Sequence, residues 1–212
     1  MKKVLVISPH PDDEAIGCGG TISSHIADGD VVEVIFLTSG EKGGHDGKTE
    51  KDTRKIREEE ARHAATILQL TNIEFWREPD GVVSVTVALV KKLKNKIQEQ
   101  KTNIIYVTHQ DEEHPDHQAA ALLVKKAMRK LNQAIEKPAV WMYEVWTPIQ
   151  RMDHIVDISS YVDLKRKAIL AHNSQCSVMK FDEAILGLNR YRGEMHSWPG
   201  GEYAEVFNKM KV

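Results

Sequence analysis

The sequence predicts an α/β fold in which helices cover both faces of a mostly parallel sheet. Short β-branched apolar runs alternate along the chain with longer segments whose apolar residues recur at helical spacing. This βαβα alternation is typical of parallel sheets flanked by helices. The apolar runs are also continuous rather than interleaved with polar residues, as expected for strands that are buried on both faces.

The predicted strands are short apolar runs bounded by polar or glycine-rich segments. The first, KVLVIS at 3–8, is almost wholly apolar and rich in β-branched residues, which favour strands. The other predicted strands lie at 31–39, 72–76, 103–109, 139–147 and 154–159, and the segment 200–207 closes the chain.

The predicted helices alternate with these strands. A helix is expected over 20–27, preceded by a GCGG packing turn, and another begins with Thr53 as its N-cap after the polar loop 40–52. Pro115 suits the first position of a later helix because the N–H that proline lacks would have no partner there. The remaining predicted helices cover 82–98, 115–131, 161–172 and 181–193.

The composition indicates one globular domain over residues 1–212. Apolar residues make up 41% of the chain and charged residues 28%, and the net charge of −2 lacks the basic excess of nucleic-acid binders. The two cysteines are too few for a disulfide framework. No apolar run approaches the roughly 20 residues that cross a bilayer. We therefore expect a cytoplasmic protein without nucleic-acid partners or an integral membrane segment.

Four polar loops follow four of the predicted strands. Their sequences are SPHPDDE, TSGEKGG, REPDG and THQDEEHPDH. Open α/β sheets bind their ligands at the carboxyl ends of the strands. The four loops are therefore predicted to share one functional rim.

Two of these loops are rich in side chains that bind metals. The first supplies His10, Asp12, Asp13 and Glu14. The second supplies His109, Asp111, Glu112, Glu113, His114, Asp116 and His117. Close carboxylates repel one another, and a divalent cation would offset that repulsion. The sequence therefore predicts a metal site at the rim.

The spacing within the loops suggests how such a site would work. His10 and Asp13 are three residues apart and can reach one ion together. A third ligand from the second loop would leave a position for water, as in catalytic zinc sites, where the bound water becomes a nucleophile near neutral pH. Asp12 would then be a carboxylate available as general base.

The second loop offers more than one histidine to the site. His114 and His117 are at positions i and i+3 around a predicted helix start, so they face the same way. If one of them binds metal, the other can contact the substrate. Asp116 lies between them and can orient an imidazole ring.

The motif SPHPDDEAIGCGGTI, together with the later HPDH, resembles the LmbE/PIG-L family of metal-dependent de-N-acetylases. The resemblance extends through REEEARHAATIL at 57–68, DLKRKAILAHNSQ at 163–175 and EYAEVF at 202–207. It implies a three-layer Rossmann-like fold and a zinc hydrolase that removes acetyl from an N-acetylated amino sugar of the N-acetylglucosamine type. Fe²⁺ or another divalent ion is an alternative cofactor. Relatives often form homo-oligomers, so a homo-oligomer is expected.

The resemblance also implies roles for the residues of the first motif. By match to the family, His10, Asp13 and His117 would be the metal ligands. Asp12 would be the general base that acts on the metal-bound water.

Other matched residues would act on the substrate. His114 would stabilise the oxyanion or protonate the leaving amine, with support from Asp116. Arg57 would correspond to the family's substrate-contacting arginine. Glu14 is the other predicted substrate-binding residue.

Two other functions stay open from the residues alone. Two histidines and one carboxylate also describe the facial triad of iron oxygenases, and activity without oxygen or 2-oxoglutarate would separate the two. A sugar- or nucleotide-binding module with a vestigial site is the other alternative, although the complete set of motif residues argues against decay.

Several neighbouring residues have open roles. Asp111, Glu112 and Glu113 are either solvated or favour a cationic or hydroxyl-rich substrate. His172 is either a helix-end histidine or an additional site residue. The segment 190–201 either shapes the rim or contacts a sugar or phosphate through Arg190, Arg192, His196 and Trp198.

Overall fold

Seven strands form one sheet in this computed structural model, which describes residues 1–45, 47–132, 136–196 and 200–212. The strands are β1 (Lys3–Ser8), β2 (Val31–Phe36), β3 (Asn72–Phe75), β4 (Ile104–Thr108), β5 (Ala139–Tyr143), β6 (His154–Asp157) and β7 (Ala204–Lys209). Their order across the sheet is β3-β2-β1-β4-β5-β7-β6. β1 to β5 are parallel, and β7 is antiparallel to both neighbours. The predicted mostly parallel sheet is confirmed.

Helices cover both faces of the sheet and give the predicted three layers. They are α1 (Asp13–Ala27), α2 (Glu50–Ile67), α3 (Val87–Gln100), α4 (Pro115–Arg129), α5 (Val162–Ala171), α6 (Asn173–Cys176) and α7 (Phe181–His196). Leu5 and Ile7 of β1 face the core that α3 and α4 complete. Val4 and Val6 face the opposite core, which α1, α2 and α5 complete. No helix among the described residues is long and apolar enough to cross a membrane.

Helix α1 begins earlier than predicted. It starts at Asp13, after a loop of four residues that follows β1, rather than at residue 20, and it is interrupted at Cys18, where φ is −145°. The GCGG stretch therefore lies inside a broken helix and does not form a turn. Its predicted packing role is confirmed, because a β-carbon at Gly17 would overlap the Tyr143 ring and one at Gly20 would overlap Ile158.

Local capping side chains explain the other displaced helix starts. Helix α2 begins one turn before the predicted Thr53, because the Thr49 side chain accepts a 3.2 Å hydrogen bond from the Asp52 N–H. Helix α3 begins five residues after its predicted start, because Thr86 caps the Leu89 N–H at 3.1 Å. The predicted strand residues 37–39 and 144–147 leave the sheet.

The strand order places a crevice between β1 and β4. The chain runs outward from β1 through β2 to β3, then returns to β4 on the other side of β1. At such a switch point the loops that follow the two central strands diverge and leave room for a ligand. The loops after β1 and β4 carry the HPDDE and HPDH motifs, so the fold brings the two motifs together.

Candidate functional site

Three donor atoms at this crevice form a nearly equilateral triangle. The Asp13 Oδ2 atom lies 3.1 Å from His10 Nδ1 and 3.2 Å from His117 Nε2. The two ring nitrogens are 3.3 Å apart. Ligands of a tetrahedral zinc ion are separated by about 3.4 Å, so the triangle has the size that three such ligands need.

The ends of two helices hold these residues in place. His10 and Asp13 flank the turn from β1 into α1, where the Asp13 carboxylate also accepts a 2.9 Å hydrogen bond from the His10 backbone N–H. His117 lies in the first turn of α4. Burial alone would raise the pKa of Asp13, but His117 and His10 outweigh burial and hold that pKa below its usual range. The carboxylate is therefore charged, as metal binding requires.

Two further groups of side chains bring possible ligand atoms close together. One combines His10 and His117 with His114, and the other combines His10 with Asp80 and Asp116. The first is less suitable because His114 Nδ1 already accepts a 3.2 Å hydrogen bond from the Asp116 backbone N–H. In the second, both carboxylates approach the opposite nitrogen of His10, Nε2, at 3.2 Å. The triangle is therefore the best candidate metal site.

Asp116 and Asp80 hold the outer nitrogen of His10. The fully buried Asp116 carboxylate also accepts backbone hydrogen bonds of 2.6 and 2.9 Å from the loop 81–83. Asp116 supports His114 through its backbone N–H, because its carboxylate contacts His10 instead. The sequence predicts the REPDG loop at the rim, but nothing beyond that position distinguishes Asp80.

The Asp12 carboxylate borders the triangle and is held by Arg57. One guanidinium nitrogen donates to Asp12 Oδ2 at 2.9 Å and to the Pro11 carbonyl oxygen at 2.6 Å. The other donates to the Gly40 carbonyl oxygen at 3.0 Å. Burial raises the pKa of Asp12 to about 6, although Arg57 opposes the rise. Arg57 also lines the ligand cavity, and its contact with substrate stays a prediction.

The backbone of Asp12 has an unusual conformation. Its φ is 124°, which residues other than glycine rarely adopt and which is found preferentially at functional sites. The Glu14 Oε2 atom supports this turn by accepting a 3.1 Å hydrogen bond from the Asp12 N–H. The turn therefore directs the Asp12 side chain at the expense of local strain.

Glu14 and His172 lie beneath Asp12. His172 Nε2 is 3.6 Å from Glu14 Oε1, and both side chains are almost completely buried. Neither is among the described residues that line the cavity. Glu14 therefore contacts buried groups of the protein and does not face the cavity, where a substrate-binding residue would be expected. His172 is the C-cap of α5 and approaches Glu14, whose other carboxylate oxygen accepts the hydrogen bond from the Asp12 N–H.

His114 lines the cavity as the N-cap of α4. Because its Nδ1 accepts the Asp116 N–H, the neutral ring carries its proton on Nε2. Burial, followed by the nearby His10 and His117, lowers the pKa of His114 below its ordinary value. The ring is therefore neutral at pH 7 and can donate a hydrogen bond to an oxyanion.

The three acids before HPDH have different environments. Asp111 and Glu113 are exposed, whereas Glu112 is fully buried. Glu112 accepts hydrogen bonds of 2.7 to 3.2 Å from the backbone N–H groups of residues 145–147 and lies 3.7 Å from His117 Nδ1. Glu112 therefore connects the loop after β5 to a predicted metal ligand, which the sequence did not indicate.

The segment 190–201 is only partly described, and Trp198 lies outside the described residues. Arg192 is buried and donates a 2.8 Å hydrogen bond to Glu144, whereas Arg190 pairs with glutamates at the surface. Neither arginine is among the described residues that line the cavity. Arg192 therefore supports the loop after β5.

A cavity of about 450 Å³ opens at the triangle. Its size lies within the range of pockets that enclose small molecules, about 300–1,000 Å³. The loops after β1, β2, β3 and β4 contribute Asp12, Lys42, Asp80 and His114, respectively. The prediction that these four loops share one rim is confirmed.

Comparisons with known proteins agree with this geometry. Residues 5–128 match the family model described as PIG-L, GlcNAc-PI de-N-acetylase. The diacetylchitobiose deacetylase of Thermococcus kodakarensis is 31% identical over 192 residues, which cover 82% of this chain and 70% of that protein. A probable N-acetyl-alpha-D-glucosaminyl L-malate deacetylase 2 of Bacillus cereus is 28% identical over 85% of this chain and 87% of its own.

A solved structure extends the comparison to another chemistry. The 4-carboxy-2-hydroxymuconate hydratase GalB of Pseudomonas putida KT2440 has a TM-score of 0.88 at 25% identity, and the match covers 100% of this chain and 97% of that chain. The fold is therefore shared by proteins that are named for different reactions.

The matched segment contains both motif loops. HPDDE at 10–14 and HPDH at 114–117 lie within residues 5–128, which are more than half of the chain. The donor triangle, Asp12 and His114 are all part of that segment. The chain therefore belongs to the PIG-L family of GlcNAc-PI de-N-acetylases.

Proposed function

We propose that this chain is a metal-dependent deacetylase that hydrolyses the acetamide of an N-acetylated amino sugar, or of a conjugate of the N-acetylglucosamine type. The observation that carries the proposal is the donor triangle, two corners of which, His10 and Asp13, line one cavity with Asp12 and His114. The relatives support the substrate class, because both deacetylases are named for N-acetylated sugars.

The donor set suits a divalent cation such as zinc, held by His10, Asp13 and His117. Imidazole and carboxylate are among the ligands that zinc prefers. A bound zinc ion would polarise the acetamide carbonyl and lower the pKa of a water molecule toward 7. Asp116 and Glu112 lie 3.2 and 3.7 Å from the outer nitrogens of the two histidines and would orient the rings.

Asp12 and His114 would carry out the proton transfer and the charge stabilisation. The Asp12 carboxylate, held by Arg57, takes a proton from the attacking water. The carbonyl oxygen becomes negatively charged, and the Nε2–H of His114 donates a hydrogen bond to it. As the C–N bond breaks, Asp12 returns the proton to the leaving nitrogen, which gives acetate and a free amine.

Release of primary amine from a panel of N-acetylglucosamine conjugates tests the proposal. We expect equal amounts of amine and acetate from zinc-loaded protein, loss of both after chelation, and recovery when zinc is restored. Turnover under anaerobic conditions without 2-oxoglutarate would separate this activity from that of an iron oxygenase. Absence of amine release across the panel by protein with bound metal would contradict the substrate class.

The ligand assignment predicts different behaviour of the two HPDH histidines. His117→Ala removes a corner of the triangle and should lower zinc affinity more than about 100-fold, beyond the usual effect of a residue that only supports a ligand. His114→Ala should keep its zinc and lose turnover, because its Nε2 is assigned to the substrate. Elemental analysis after dialysis against buffered zinc measures both. Equal metal content in the two variants would contradict the assignment.

A hydratase is the second candidate, and the overlap with GalB favours it. The same donor set and base could add water to a carbon–carbon double bond instead of an amide. An unsaturated carboxylate in the panel, followed by its ultraviolet absorbance, distinguishes the two functions. Loss of absorbance without amine release from any sugar would favour the hydratase.

A further inference from the structure

The cavity has an apolar wall, which we define as Val145, Trp146, Val178, Met179 and Phe181. Trp146, Val178 and Met179 are 47%, 60% and 45% exposed, although all three are large and apolar. Single exposed apolar residues are common, but a group of them at the mouth of a ligand cavity indicates a binding surface. The Trp146 indole meets Phe181 edge to face, with 5.6 Å between ring centroids.

Two buried carboxylates fix the loop that carries Trp146. Glu112 accepts hydrogen bonds from three consecutive backbone N–H groups of this loop. Glu144 accepts a 2.7 Å hydrogen bond from the Ile149 N–H and pairs with Arg192 at 2.8 Å. A fixed aromatic surface binds its ligand with a smaller loss of conformational entropy than a mobile one. The loop that carries Val145 and Trp146 is therefore preorganised.

The other side of the cavity is polar. Lys42 and His45 follow β2, and Asp80 follows β3. The sheet places β2 and β3 on one side of the central β1–β4 pair and β5, which precedes Val145 and Trp146, on the other. Val178 and Met179 lie between these two sides, because the nearby Gln175 donates a 3.0 Å hydrogen bond to the Gly43 carbonyl oxygen of the loop after β2. An amino sugar whose acetamide reaches Asp12 and His114 would turn hydroxyl groups toward the polar side. A substituent on the sugar would then lie against the apolar wall.

The chemistry of the apolar wall restricts that substituent. Among its described residues, the Trp146 indole N–H is the only strong hydrogen-bonding group of a side chain. Hydroxyl groups pressed against such a surface would lose water without gaining partners. An aromatic or aliphatic group would instead gain apolar contact, including ring contact with the indole.

We propose that the apolar wall is a subsite for an aromatic or aliphatic aglycone, so that apolar glycosides of N-acetylglucosamine are preferred to glycosides with a small or polar group. The inference rests on the proposed function for the position of the sugar. Continuity of the wall with the cavity at the donor triangle argues for a substrate group as its occupant.

Phenyl and methyl glycosides test the subsite in two ways. The first measurement is kcat/KM for amine release from the two N-acetylated glycosides by zinc-loaded protein. The second is calorimetric binding of the two amine products, which needs no turnover. We expect the phenyl compound to be favoured about tenfold in each, as ring contact and apolar burial together allow. Trp146→Ala should reduce both ratios to about twofold or less.

Matched variants separate the subsite from general effects. Tyr191→Ala removes an exposed aromatic residue that does not line the cavity, and it should keep the tenfold ratios. Val178→Ser changes a 60% exposed position of the wall and should lower the ratios partly. It replaces Trp146→Ala as the test if that variant fails to fold.

Each remaining outcome decides the proposal. Equal binding of the two products by the wild type, or no measurable binding of the phenyl product, would overturn the subsite. Selective binding of the phenyl product without amine release from either glycoside would support the subsite and contradict the proposed function. Unchanged ratios in Trp146→Ala together with a lower mass in sedimentation would overturn the subsite and identify the wall as an interface between copies of the chain.

Discussion

The Asp12→Asn variant is expected to lose turnover by about 10²- to 10⁴-fold while it keeps its fold and its metal. An amide cannot take a proton from water, but its oxygen can still accept the hydrogen bond that Arg57 donates to Asp12 Oδ2 at 2.9 Å. Asparagine also tolerates positive φ better than most residues, which matters at a φ of 124°. Amine release at saturating substrate gives kcat, and elemental analysis gives the metal content.

Asp111→Asn is the matched control for this variant. Asp111 is an exposed acid in the other motif loop and is not among the described residues that line the cavity. The control makes the same change of charge and should keep nearly full turnover. Full turnover in Asp12→Asn would exclude Asp12 as the base. Loss of metal from Asp12→Asn would identify Asp12 as a ligand instead.

The centre of the site could be predicted because it depends on short patterns and on one rule of topology. HPDDE places His10 and Asp13 on one turn, and HPDH places His117 on the first turn of a helix. Both turns follow buried parallel strands, whose carboxyl ends lie at the same edge of a sheet. These facts bring His10, Asp13 and the HPDH histidines together, whereas the choice of His117 as the third ligand depends on the resemblance to the family.

The surroundings of the site could not be predicted in the same way, because they depend on contacts between segments far apart in the chain. Asp116 contacts His10, 106 residues away, and Glu112 binds a loop that follows β5. Neither contact leaves a periodic or spacing signal in the sequence. An acidic residue next to a motif is, from the sequence, equally consistent with a solvated and with a buried side chain. The burial of Glu112 is therefore known only from the structure.

The early start of α1 also depends on contacts between segments far apart in the chain. Distant residues stabilise the break at Cys18: Glu205 of β7 accepts hydrogen bonds of 2.9 and 2.7 Å from two backbone N–H groups just after the break. Lys165 of α5 donates to the Ile16 carbonyl oxygen at 2.7 Å and pairs with Glu205 at 2.6 Å. This buried ion pair allows a helix that carries Asp13 to contain three glycines and a break.

Lys165→Met is expected to lower the free energy of unfolding by about 3–5 kcal/mol. The side chains of Lys165 and Glu205 are 0% and 1% exposed, so the variant leaves a carboxylate charged and buried without its cation. The Ile16 carbonyl oxygen would also lose a donor. Urea unfolding followed by circular dichroism measures the change, provided that the transition is two-state.

A second variant and a control distinguish the buried charge from the loss of packing. In Lys165→Met combined with Glu205→Gln both charges are absent, and the amide oxygen can still accept from one of the two N–H groups after the break, which donate to separate oxygens of the carboxylate. The double variant should therefore be more stable than Lys165→Met alone. Lys180 forms a similar pair with Glu183, but its side chain is 77% exposed, so Lys180→Met should change stability by less than about 1 kcal/mol. If the double variant were less stable than Lys165→Met, lost packing and the lost backbone hydrogen bond rather than the unpaired carboxylate would account for the loss, and the ion pair would not be what stabilises the broken helix.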